Sequence, residues 1–211
     1  LMGAANSKIP VISPITGPQL TGHSEGERLG ACTDCRRFWA KFRAAEIDKA
    51  GIEKIESRLV TTSGTCAVMG TASTMACITE TLGMALPGTA AIPAIHADRL
   101  RAAEASGAQA VHLAQIDRDK QLTPKKIITP ASVENALRIL LAVGGSTNAI
   151  IHLTAIAGRL GIPIPLQQLN KLSDETPVLI DLKPTGDHYM EDLFKAGGLG
   201  AVSYTHLRAH E

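Results

Sequence analysis

The sequence predicts an α/β layer fold with an excess of helix. Two short apolar runs, Lys8-Ile9-Pro10-Val11-Ile12-Ser13 and Pro177-Val178-Leu179-Ile180-Asp181-Leu182, are closed by turn residues and read as buried strands. Between them lie segments whose apolar residues recur at helical spacing. Hydrophobic residues make up 45% of the 211 but aromatics only 3%, so the core must be built from Ala, Leu, Ile, Val and Met, which suits closely packed helices. Strands separated by helical pieces are the pattern of layered α/β folds.

After the first strand, Thr16 to Gly30 is rich in Gly and polar residues and reads as a loop. Thr33 or Asp34 can cap a helix that carries Phe38, Trp39, Phe42 and Ile47 on one side. A second helical stretch runs from Ile52 to Leu59. The small-residue loop around Cys66 then leads into a helix that Pro87-Gly88 ends. Ala97 to Ala110 is Ala-rich and amphipathic. Thr129-Pro130 is a start signal for a helix over 131–143, with Val133, Leu137, Leu140 and Leu141 on one face. Gly144-Gly145 breaks it, and Ser146 can cap the next helix, Thr147 to Leu160. Shorter helices are expected at Leu166–Leu172 and Met190–Ala196, with no internal repeat.

Net charge is +1 and the basic residues are scattered, which argues against a nucleic-acid footprint or a polybasic membrane patch. No apolar run approaches the roughly 18 residues that span a bilayer. The opening Leu1-Met2-Gly3-Ala4-Ala5 lacks the basic region and long apolar stretch of a signal peptide. Four cysteines are too few for a disulfide scaffold in a chain of this length, so a reducing cytoplasm is expected.

Cys66 stands in Ser63-Gly64-Thr65-Cys66 at the mouth of a helical segment, where free N–H groups favour a thiolate. A thiolate there can be a nucleophile, a redox centre or a metal ligand. Cys77 lies eleven residues on, about 16 Å along a helix axis, too far to share a small site, and reads as a core residue. Cys32-Thr33-Asp34-Cys35 is a CxxC that can chelate zinc or cycle as a dithiol, or be two half-buried thiols at a helix start. Zinc needs two further ligands, and Cys66 with Cys77 forms no second CxxC. His206 and His210 have i, i+4 spacing without an acidic or Cys partner. Gly144-Gly145-Ser146-Thr147-Asn148 opens a helix with bare amides and hydroxyls. It is either an anion site, with Ser146 and Thr147 meeting a carboxylate or phosphate, or an ordinary helix–helix turn.

Several of these pieces fall in a specific order. Ser63-Gly64-Thr65-Cys66 through Thr74-Met75, Glu80, Leu82-Gly83, Leu86-Pro87-Gly88, Gly144 to Ala149, His152-Leu153, Thr176-Pro177, Asp181-Leu182-Lys183-Pro184 and Gly197-Gly198 together resemble the IlvD/Edd dehydratases. That family includes the dihydroxy-acid, phosphogluconate and sugar-acid dehydratases. The stretch from Leu29 to Trp39 is similar to the sugar-acid branch, of the arabinonate type.

The resemblance covers residues 1–202. It implies a partial N-terminal, iron–sulfur-binding domain of helix-rich three-layer α/β/α build, incomplete, with the family's C-terminal β-barrel domain missing. It implies that Cys66 is the third of three cysteines holding an iron–sulfur cluster, [2Fe–2S] in preference to [4Fe–4S], with one iron open to a substrate hydroxyl. Cys32, Cys35 and Cys77 do not match ligand positions. The other two cysteines, a lysine and an acidic Mg2+ ligand are expected upstream of Leu1, and the serine base with a further Mg2+ ligand in the barrel. No catalytic residue is then expected in this fragment, which alone would be inactive. The implied reaction is dehydration of a 2,3-dihydroxy acid, an aldonate, to a 2-keto-3-deoxy acid by a cytoplasmic homodimer or homotetramer. The alternatives are a dihydroxy-acid dehydratase of branched-chain amino-acid biosynthesis and, from another class, a small zinc or redox module built on Cys32 and Cys35. Residues 203–211 do not fit the family and are expected to be foreign sequence.

Overall fold

The computed structural model describes residues 1–205, with side-chain surroundings through Val202. His206 and His210, and most of the segment expected to be foreign, lie outside the described residues. In chain order the elements are α1 (Met2–Ala5), β1 (Gly22–Ser24), β2 (Glu27–Leu29), α2 (Ala31–Arg43), α3 (Lys49–Glu56), α4 (Thr71–Thr81), α5 (Ala97–Gln115), α6 (Pro124–Ile127), α7 (Pro130–Ala142), α8 (Thr147–Gly158), α9 (Leu166–Glu175), α10 (Met190–Lys195) and α11 (Gly198–Thr205). Helix dominates and the sheet is small, as the helix-rich α/β class requires.

The strands fall elsewhere than expected. Among the described residues the sheet is the antiparallel β1–β2 hairpin, with Gly22 opposite Leu29 and Ser24 opposite Glu27. It lies inside the stretch read as a loop. Its turn residues Glu25 and Gly26 both take left-handed backbone (φ 53° and 83°), the geometry that matches strand twist in a two-residue hairpin. The run at 8–13 forms no ladder. Pro10 has no N–H to give, and Ser13 makes a single bond, from its N–H to the Met84 carbonyl at 2.7 Å. The run at 177–182 crosses the end of α7, where Leu179 donates to the Ala142 carbonyl at 2.8 Å, and closes in one bridge between Leu182 and His188.

The helix signals hold better. Thr129 caps α7 through a reciprocal capping box with Ser132, and Pro130 takes the first helical position. Ser146 caps α8. Asp48 caps α3 by accepting from Gly51. Helix α2 begins earlier than the expected Thr33 or Asp34 cap: its N-cap is Gly30, and the Asp34 carboxylate reaches back to the Gly30 N–H.

Helix α4 is the centre of the molecule because both its faces are covered. Ile78 and Leu82 pack with Val133, Leu137 and Leu140 of α7, Leu153 of α8 and Leu172 of α9. Cys77 faces the other way, into a second core with Met69, Ile139, Leu182, Met190 and Leu199. A smaller cluster of Leu29, Ile55 and Leu59 holds α2, α3 and the hairpin together. Glu80 fixes the exit from α4 by accepting from the N–H groups of Gly88 and Ala90, at 2.8 and 2.7 Å. No helix among the described residues is long and apolar enough to cross a membrane.

Candidate functional site

Cys66 sits in the loop before α4, five residues ahead of the first helical residue, rather than at the helix mouth itself. Both flanks of the loop are clamped by backbone hydrogen bonds. On one side Gln19 donates to the Thr65 carbonyl (2.8 Å) and Thr65 to the Gly17 carbonyl (2.9 Å). On the other, Met69 donates to the Lys183 carbonyl (2.9 Å) and Met190 to the Ala67 carbonyl (2.8 Å). Gly64 makes the first contact possible: its φ is +129°, and a Cβ there would meet the Gln19 nitrogen at 2.4 Å. Cys66 is half-buried against Ala67, Val68 and Tyr189.

The start of α2 closes the site from a third direction. Gly30 lies so near that a Cβ would stand 2.7 Å from the Tyr189 ring and 2.9 Å from Val68. This approach brings the exposed Cys32 to Cys66, with 3.9 Å between the sulfurs. The neighbouring Cys66 thiol, then burial, push the Cys32 thiol above its ordinary value. Cys35 does not join them. It packs with Phe38 against Leu29, Ile55 and Leu59. Cys77 is fully buried, and burial pushes its thiol up to about 12, as suits an inert core residue.

Behind the two cysteines lies a polar network that the sequence reading missed. The Asp34 side chain is 2% exposed; it accepts from the Gly30 N–H, from Arg37 at 2.9 Å and from the Tyr189 hydroxyl at 3.2 Å, with the Lys183 ammonium 3.6 Å away. Burial acts to raise the Asp34 carboxyl, but the Gly30 N–H, Arg37 and Lys183 outweigh it and hold the group below its ordinary value. Lys183 donates to the Tyr189 oxygen at 2.7 Å. Burial would lower this ammonium, yet Tyr189 and Asp34 raise it overall. The Tyr189 phenol is raised, chiefly by burial. Arg28 stacks over the Tyr189 ring at 4.6 Å while holding Asp192 at 2.8 Å. A lone Asp in the first turn of a helix reads as a cap, which it partly is; its partners from residues 183 and 189 carry no local signal.

Ser146 and Thr147 are at the same end of α4. The Ser146 hydroxyl is 2.8 Å from that of Thr71, the first residue of α4, and its N–H donates to Thr74 at 3.0 Å. Two of the amides expected to face an anion are therefore engaged within the protein, that of Ser146 and that of Asn148, which donates to the Ser146 side chain. Thr147 is exposed. A cavity of about 230 Å³ adjoins the Cys66 loop, lined by Pro14, Ile15, Gly17, Thr65, Ser73 and Ala76 among others; Cys66 itself does not line it. Among the described residues no three His, Cys, Asp or Glu side chains converge as a metal site would need.

Fold and site together define a helix-rich domain that holds a half-buried cysteine in a loop clamped on both flanks. The family model described as dihydroxy-acid/6-phosphogluconate dehydratase N-terminal matches residues 1–210, and the chain belongs to that family. Among curated relatives, a dihydroxy-acid dehydratase of Thermodesulfovibrio yellowstonii is 41% identical over 202 residues, covering 96% of this chain and 36% of the relative. One of Methanospirillum hungatei is 40% identical over 100% of this chain and 37% of its own length. A protein named putative dehydratase IlvD1 from Rhizobium meliloti is 39% identical over 96% of this chain and 34% of its length. The chain thus spans little more than a third of the curated relatives it matches.

Proposed function

We propose that this chain is the N-terminal part of a hydro-lyase that dehydrates a 2,3-dihydroxy acid to a 2-oxo acid, and that Cys66 is one thiolate ligand of its iron–sulfur cluster. The observation that carries the reading is the double clamp on the Cys66 loop. A cluster ligand must hold its sulfur in one position, and backbone bonds from Gly17, Gln19, Lys183 and Met190 fix this loop on both sides. The thiol is half-buried and its one sulfur neighbour is Cys32, so its electron pair is open to a metal. Among the described residues no three His, Cys, Asp or Glu side chains converge, so Cys66 is offered as one corner of the cluster. The two further cysteines, the Mg2+ ligands and the serine base belong to the rest of the full-length protein.

When bound, the cluster supplies a Lewis-acid iron for the departing hydroxyl, and [2Fe–2S] is the preferred type. This chain's own residues orient and exclude. Ala67, Val68 and Tyr189 cover one side of the thiol from water, and Ser146 and Thr147, at the start of α8, are our candidates for meeting the substrate carboxylate. Two substrates follow from two observations. The Leu29–Trp39 stretch favours an aldonate, whereas the names of the curated relatives favour a dihydroxy acid of branched-chain amino-acid biosynthesis. We assign the whole enzyme to the cytoplasm, as a homodimer or homotetramer.

The test uses the full-length protein and its Cys66→Ser variant. The parent should contain iron and acid-labile sulfide and form a 2-oxo acid from a five-carbon aldonate or a branched 2,3-dihydroxy acid, the better substrate deciding the branch. The variant should lose both cluster and product. A variant with the parent's iron and sulfide content would sink the ligand assignment.

A further inference from the structure

The four cysteines have separate surroundings. Cys77 is sealed in the core and Cys35 is turned into an apolar cluster. Cys32 and Cys66 come from different elements, 34 positions apart, and meet with 3.9 Å between their sulfurs. Cys32 is exposed, on the first turn of α2, and so within reach of small oxidants. The close approach of Gly30 to Tyr189 and Val68 holds that turn against the Cys66 loop. The sulfurs must draw together by about 2 Å to bond, within the range of side-chain rotation for an exposed first-turn residue.

We propose that Cys32 and Cys66 are a reversible redox pair, which peroxide converts to a disulfide when Cys66 carries no metal. The Cys32 sulfur attacks the peroxide as its thiol proton passes to solvent, the O–O bond breaks, and the leaving hydroxide takes a proton to become water. Cys32 is then a sulfenic acid. The Cys66 sulfur attacks it, the S–S bond forms, the S–O bond breaks and a second water leaves. Two thiols have lost two electrons to one peroxide. A sulfenic acid that no thiol meets is carried by a second peroxide to the sulfinic acid, which thiols cannot reverse. The disulfide holds Cys66 at a level from which a thiol reductant restores it. Its formation rests on the two thiols alone; its use, protecting a cluster ligand, rests on the function proposed above.

The experiment takes the full-length protein, freed of metal by a chelator, and treats it with one equivalent of hydrogen peroxide. Trypsin releases Cys32 in Leu29–Arg36 and Cys66 in Leu59–Arg99. The two peptides should appear joined, about 2 Da lighter than their sum, and separate on reduction. The link should persist in a Cys35→Ser, Cys77→Ala variant, which leaves one cysteine in each peptide. In Cys32→Ser the link should vanish. A bond within Leu29–Arg36, or no bond between the two peptides in the parent, would overturn the proposal. Cluster retention in Cys66→Ser would remove the ligand role and leave the disulfide standing, so the two ideas fail separately.

Discussion

The Tyr189 hydroxyl lies 3.2 Å from the carboxylate of Asp34, joining residues 155 positions apart behind the Cys66 loop. The same oxygen accepts a hydrogen bond from Lys183 at 2.7 Å, and its one proton is shared with the Arg28 carbonyl at 3.0 Å. Tyr189→Phe keeps the ring that covers Cys66 and removes all three bonds. It should cost about 1–3 kcal/mol, the range for leaving buried partners unsatisfied, read as a lower urea midpoint at unchanged slope. No change in midpoint would mean that the network is ornamental to stability.

Asp34 gives this network a pH dependence. Its carboxyl is held below its ordinary value in the folded protein, so the unfolded chain binds the proton more readily. The stabilisation is therefore complete above the ordinary carboxylate range and fades as pH falls below about 4. Glu191 and Asp192 are lowered too, so the wild type alone does not isolate it. The difference between wild type and Asp34→Asn does. It should be large at pH 6 and shrink toward pH 3, followed as the gap between their urea midpoints.

Gly64→Ala should be among the most damaging single substitutions. The new methyl would lie 2.4 Å from the Gln19 nitrogen and 2.6 Å from the Pro18 carbonyl carbon, both main chain, in a backbone conformation that side chains resist. A loss of about 3 kcal/mol or more is expected, seen as a fall in thermal midpoint and soluble yield. Gly70→Ala, in the same loop with open space around it, should be far milder.

Thiol labelling should separate the four cysteines by rate. Exposed Cys32 should react first with a small alkylating reagent. Cys77, fully buried with its thiol pushed up to about 12, should react only after denaturation. Native-state labelling of Cys77 as fast as Cys32, read by peptide mass, would contradict the packing of α4 described above.

What the sequence revealed were features that local chemistry writes into it. Thr129-Pro130 and Ser146 mark helix starts because caps act within three residues, and both stand where expected. Cys77 was legible as core from its helical spacing. The two apolar runs misled because strand periodicity says nothing about a partner, and neither finds a ladder. The hairpin was hidden because Glu25-Gly26 is a weaker turn signal than Asn-Gly. At the site, the loop around Cys66 was visible and its neighbours were not. Cys32, Asp34, Lys183 and Tyr189 reach it only through tertiary contacts, and a CxxC suggests that Cys32 belongs with Cys35 when its sulfur partner is Cys66.

The clamp on the Cys66 loop also has an order in time. Its first half, from Gly17 and Gln19, is available as soon as the cysteine has been synthesised, but its second half waits for Lys183 and Met190, more than a hundred residues later. At about 5–20 residues per second, a ribosome needs on the order of ten seconds to supply them. During that interval the nascent chain holds Cys66 on one side only. The cysteine is therefore fixed in its final position late in the life of the chain, after the 181–190 segment has emerged and docked.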